Sequence, residues 1–150
     1  MRRVTGQLRT FSNAGPQGWG QFVRTFLISF LIERSLNREQ LDATARRFGA
    51  TLSFDPPVQL AERLPITAAE GVRLRVALAV LRRTPVNGTC LRRALVIADV
   101  VRDHHPILRV GVAKPAGRVE AHAWVEICGI AIDPMLDRQF TPLRSPRSLE

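Results

Sequence analysis

The chain's 150 residues suit one compact domain, and a hydrophobic content of 45% supplies a core and excludes a disordered chain. The formal net charge is +9, almost all of it from arginine, since Lys114 is the only lysine. That charge permits an anionic partner, but the arginines are scattered, tyrosine is absent and no nucleic-acid motif appears, so no nucleic acid is expected as partner.

The opening Met1-Arg2-Arg3 is followed by polar sequence without an apolar signal region, and residues 1–18 read as a loose segment. From Trp19 to about Leu36 the spacing predicts a helix, with Phe22, Phe26, Leu27, Phe30 and Leu31 forming a wide apolar stripe. The stripe reads first as a core-facing surface and second as a docking surface for another protein. Its most apolar run, Phe26 to Ile32, is far too short to span a bilayer, so no membrane span and a cytoplasmic location are expected.

Asn37 and Gln40 have the spacing of a capping box and predict a helix through Phe48, with Gly49 as its stop. A break follows at Asp55-Pro56-Pro57. Thr67 and Glu70 form a second capping box, and the helix they open runs to about Arg83, before Pro85. Residues 19–84 are therefore expected to be helical, forming one compact unit with residues 85–150.

The second half changes character. Asn87-Gly88 is a turn signal, and Thr89 can cap a helix whose first residue is Cys90. Leu91, Ala94, Leu95, Ala98 and Val101 recur at helical spacing until His104-His105-Pro106 ends the run. Strands are predicted over Ile107 to Val112, Val119 to Ile127 and Ile130 to Asp133. They are separated by the Pro115-Ala116-Gly117 turn and a tight Cys128-Gly129 connection. The fold class expected is α+β, with N-terminal helices, then a cysteine-bearing helix packed on a small antiparallel sheet.

Three residues carry the expected chemistry. Cys90 at a helix start meets amide N–H groups and the positive end of the helix dipole, which favour the nucleophilic thiolate. In the strand from Val119 to Ile127, strict alternation puts Glu120, His122, Trp124 and Glu126 on one face and the more apolar set on the other. If Cys128-Gly129 is a two-residue loop, Trp124 opposes Asp133, which sets Asp133 diagonal to His122 and within reach of a carboxylate–imidazole hydrogen bond; a four-residue loop gives the same pairing, and a three-residue loop turns Asp133 to the other face. Cys90 then attacks a carbonyl, His122 moves the proton, and Asp133 fixes the imidazole tautomer. The Cys90 amide is one candidate oxyanion donor and Asn87 a guess for the second. Trp124 either lines the substrate groove or packs beside the histidine. Cys128 reads as incidental, no zinc spacing is met, and no phosphate loop appears, so no metal and no cofactor are expected.

Thr89-Cys90-Leu91-Arg92-Arg93-Ala94-Leu95, then Arg109-Val110-Gly111-Val112, then Ala121-His122-Ala123-Trp124-Val125-Glu126, then Gly129 and Asp133 resemble the transglutaminase-like leader peptidases of lasso-peptide biosynthesis. The resemblance covers roughly residues 85–137, and His104-His105-Pro106 departs from the basic, glycine-ended turn usual in that family. It implies a papain-like cysteine peptidase that removes the leader of a ribosomally made precursor peptide, with Cys90, His122 and Asp133 on the catalytic positions. It also implies two partners, a separate leader-binding protein and an ATP-dependent lasso cyclase. The alternatives are an acyl transferase (a transglutaminase or amide ligase) on the same triad, or a non-catalytic adaptor of the same fold.

Overall fold

The computed structural model describes residues 15–55, 61–82, 89–114, 118–132 and 140–143. In chain order the elements are α1 (Gly15–Leu36), α2 (Leu41–Arg47), β1 (Thr51–Leu52), α3 (Ala68–Leu81), α4 (Cys90–Val100), a 3-10 turn (Arg102–His104), β2 (Ile107–Ala113), β3 (Glu120–Ile127), β4 (Ile130–Ile132) and β5 (Thr141–Pro142). Three helices lead into the cysteine-bearing helix and a five-stranded sheet, an α+β arrangement.

Local hydrogen bonds account for the ends of the central helices. Thr67 and Glu70 form the expected capping box, with the Glu70 amide donating to Thr67 Oγ1 at 3.2 Å and the Thr67 amide donating to Glu70 Oε2 at 2.8 Å. Thr89 caps α4 by accepting the Arg92 amide at 3.3 Å, which makes Cys90 its first helical residue. The Asn37 expectation is corrected. Residues 37–39 continue as a turn after α1, and α2 opens at Leu41 behind Gln40, whose side chain makes no cap bond. The first helix also opens at Gly15, earlier than Trp19.

The sheet order is β1-β2-β3-β4, with β5 also paired to β2. It is mixed rather than purely antiparallel, because β1 runs parallel to β2 through Thr51↔Ile107 and Leu52↔Leu108. Strand β5 joins β2 farther along, at Gly111↔Pro142 and Val112↔Thr141. Strands β3 and β4 form the expected tight hairpin. Ile127 opposes Ile130, and Cys128 and Gly129 both have positive φ, at 51° and 78°, as a two-residue loop of matching twist needs.

Helix α4 lies against β3 and β2, and α1 crosses α3 and α4. The core joins Leu95, Ile97, Ala98 and Val101 of α4 and its C-terminal end to Leu108, Ala123, Val125 and Ile127 of the sheet and Ile28 and Ile32 of α1. The apolar stripe of α1 does not join it. Phe26, Leu27, Phe30 and Leu31 are exposed, Phe30 at 71%, whereas the buried side of α1 carries Gln21, Thr25, Ile28, Ser29, Ile32 and Ser35. Those polar side chains are satisfied locally. Thr25 and Ser29 hydroxyls donate to the carbonyls four residues earlier, each at 2.7 Å, and Gln21 donates to Thr25 Oγ1. Arg24 to Asp99 and Arg92 to Glu33 pair α1 with α4. Among the described residues no helix is long and apolar enough to cross a membrane.

Candidate active site

Cys90 and His122 come together from different elements. Cys90, Ala94 and Ile97 of α4, His122 and Trp124 of β3 and Ile132 of β4 line one small pocket. Cys90 is partly exposed and in no disulfide. The cap at Thr89 holds the start of α4 here, and the packing of α4 on β3 sets the helix's height along the strand.

The strand face of His122 is buried, although its polarity suggests a wet surface. His122, Trp124 and Glu126 are 8%, 8% and 4% exposed, and Arg109, opposite Trp124 in the ladder, is 3% exposed. Alternation still applies, but both faces of β3 are covered from His122 to Ile127. The polar groups hold one another. Arg109 Nε donates to Glu126 Oε2 and Trp124 Nε1 donates to Glu126 Oε1, each at 2.9 Å. The other end of Arg109 donates to the Ser53 carbonyl and hydroxyl and to the Asp55 carbonyl.

Rings surround the imidazole. His122 stacks with Phe140, centroids 4.5 Å apart and planes 23° apart, and with Trp124 at 6.2 Å and 17°. Trp124 therefore packs beside the histidine, its indole N–H turned to Glu126, and the residue also borders the pocket. Gly111, directly opposite His122, makes room for that ring. A Cβ there would lie 2.8 Å from Trp124 Cη2 and Cζ3 and 2.7 Å from the Thr141 carbonyl oxygen. Sequence reasoning missed Phe140, Gly111 and the Arg109–Glu126 pair. The Arg109-Val110-Gly111-Val112 run marked two of them, but only pairing across strands says what they touch.

Asp133 and Asn87 lie outside the described residues. The ladder approaching Asp133, with Val125 opposite Ile132, has the register expected for a two-residue loop. Glu126 accepts from Arg109 on one carboxylate oxygen and from Trp124 on the other. Cys128 is exposed at the hairpin tip, away from the pocket-lining residues. His104 binds Glu70, Nε2 to Oε1 at 3.0 Å, which ties the turn after α4 to the start of α3. The Glu70 carboxyl is lowered from 4.5 to about 2, chiefly by the Thr67 amide and then the Thr67 hydroxyl, with His104 adding to it and burial opposing.

A cysteine on a helix start and a histidine on a neighbouring strand thus line one pocket of an α+β core. A model of the transglutaminase-like superfamily matches residues 34–145, and the chain belongs to that superfamily. No curated protein and no solved structure matches the chain.

Proposed function

We propose that the protein is a cysteine peptidase that cleaves the leader from a ribosomally made lasso-peptide precursor. The observation that carries the reading is the pocket shared by Cys90 and His122, in a chain that belongs to the transglutaminase-like superfamily. In the proposed cycle the Cys90 thiolate adds to the carbonyl of the scissile bond. The C–N bond breaks as the His122 imidazolium gives its proton to the departing amine, leaving a thioester on Cys90. Water, deprotonated by His122, adds to the thioester, and the C–S bond breaks to free the leader's carboxylate and the thiolate. Asp133 is assigned the role of holding the His122 tautomer.

The lasso-precursor substrate is supported by the Ala121-His122-Ala123-Trp124-Val125-Glu126 run following the Cys90-Leu91-Arg92-Arg93-Ala94-Leu95 helix start. The separate leader-binding protein is supported by the outward apolar face of α1, where Trp19, Val23, Phe26, Leu27, Phe30 and Leu31 are all exposed. In this reading the cyclase acts on the freed core peptide and supplies any ATP dependence. The test is mass spectrometry of precursor incubated with the protein, alone and with the leader-binding partner, for wild type and Cys90→Ala. The expected result is cleavage by wild type, stimulated by the partner, and none by Cys90→Ala. Cleavage by Cys90→Ala at the wild-type rate sinks the mechanism. A new amide product in place of a free carboxylate moves the reading to an acyl transferase.

A further inference from the structure

We infer that Glu126 is a positioning residue for His122, acting through the indole of Trp124. The inference rests on the Cys90–His122 reading above but on no particular substrate. A general base must aim its nitrogen at the thiol, and an imidazole turns easily about its last side-chain bond. Here the ring plane is set by neighbours, since Trp124 and Phe140 both lie within 23° of parallel to it. Trp124 is itself clamped at two edges. Its N–H edge donates to Glu126 Oε1, and its far edge, Cη2 and Cζ3, fills the space left by Gly111.

Glu126 in turn is aimed by Arg109, whose Nε holds the second carboxylate oxygen while Nη1 reaches Ser53 and Asp55 past the end of β1. Such a pair is a poor stabiliser, because apolar residues of similar volume often serve a fold as well or better once desolvation is counted. What a buried carboxylate supplies that an apolar residue does not is direction. It fixes one orientation of the indole, and the indole face fixes the imidazole.

The test is the rate at which iodoacetamide alkylates Cys90 near neutral pH, in a Cys128→Ser background so that one thiol reports. His122→Ala sets the floor. Trp124→Phe keeps a ring and leaves the Arg109–Glu126 pair intact, yet removes the donor. It is expected to slow alkylation on the order of tenfold, about 1.4 kcal/mol, and, because it leaves Glu126 Oε1 without its donor, to lower the melting temperature while the protein stays folded. Glu126→Gln, whose amide offers one acceptor and so cannot serve both Arg109 and Trp124, is expected to slow it by no more than that, and the double variant to be no slower than the slower single, because both changes act on one link. A folded Trp124→Phe that alkylates at the wild-type rate overturns the inference, as do additive losses in the double variant. If Glu126→Gln does not fold, Trp124→Phe decides alone. Failure of the underlying reading looks different, with wild type itself reacting no faster than His122→Ala.

Discussion

Gly111→Ala probes how closely the sheet is built around the histidine. The new Cβ would stand 2.8 Å from two indole carbons and 2.7 Å from the backbone oxygen of Thr141. Carbon atoms pack at about 3.5–4.0 Å, so something must move by roughly 0.7 Å or more. Neither neighbour yields easily, since the indole is held through Glu126 and the Thr141 carbonyl belongs to the short strand β5 paired to β2. Overpacking of this kind costs about 1–3 kcal/mol, and the lost freedom of glycine in the unfolded chain returns about 0.4–1 kcal/mol. The net loss is then on the order of 1–2 kcal/mol, a fall in melting temperature of roughly 2–8 °C for a chain of this size. Because the displaced group is the ring stacked on His122, Cys90 alkylation should slow as well. Circular-dichroism melts and iodoacetamide labelling measure the two effects. A variant that melts at or above the wild-type temperature and labels normally would show that the indole has slack, and would refute the clamp.

Arg109→Met removes the partner of a buried carboxylate and should destabilise the fold by about 3–5 kcal/mol in urea titrations, while Arg109→Met/Glu126→Gln should recover much of the loss; an unchanged midpoint in the single variant would deny the pair its burial. Phe26→Asp/Phe30→Asp changes two exposed residues, so the melting temperature should move little, while stimulation by the leader-binding partner should be lost. A folded double variant with full stimulation would free the α1 face from that role. Thr67→Ala should cost about 1 kcal/mol at neutral pH by removing the α3 cap. Glu70's folded value lies below its unfolded one, so its contribution is present above 4.5 and fades as pH falls toward about 2. The wild-type advantage over Thr67→Ala should shrink across that window in urea titrations, and an advantage that grew on acidification would reverse the sign argued here.

What the sequence alone determined was what short-range geometry controls. The caps at Thr67 and Thr89 close hydrogen bonds within three residues, so the start of α3 and the placing of Cys90 at a helix tip were readable from the residue pattern. The hairpin register followed from loop length, because two loop residues leave only one way for Ile127 to meet Ile130. Asn37 failed for a related reason, since a capping pattern does not by itself start a helix when α1 and its trailing turn take that residue. Only tertiary structure decided which side of α1 is inside. An apolar stripe indicates that a face avoids water without naming what covers it, and the polar face was accepted into the core because Gln21, Thr25 and Ser29 hydrogen-bond within their own helix. The surroundings of His122 were also beyond the sequence. Arg109 meets Glu126 across a strand pair and Ser53 across more than fifty residues, and Phe140 returns from the far end of the chain to stack on the imidazole. Burial of that strand face depends on chain segments distant in sequence, and alternation along β3 carries no information about them.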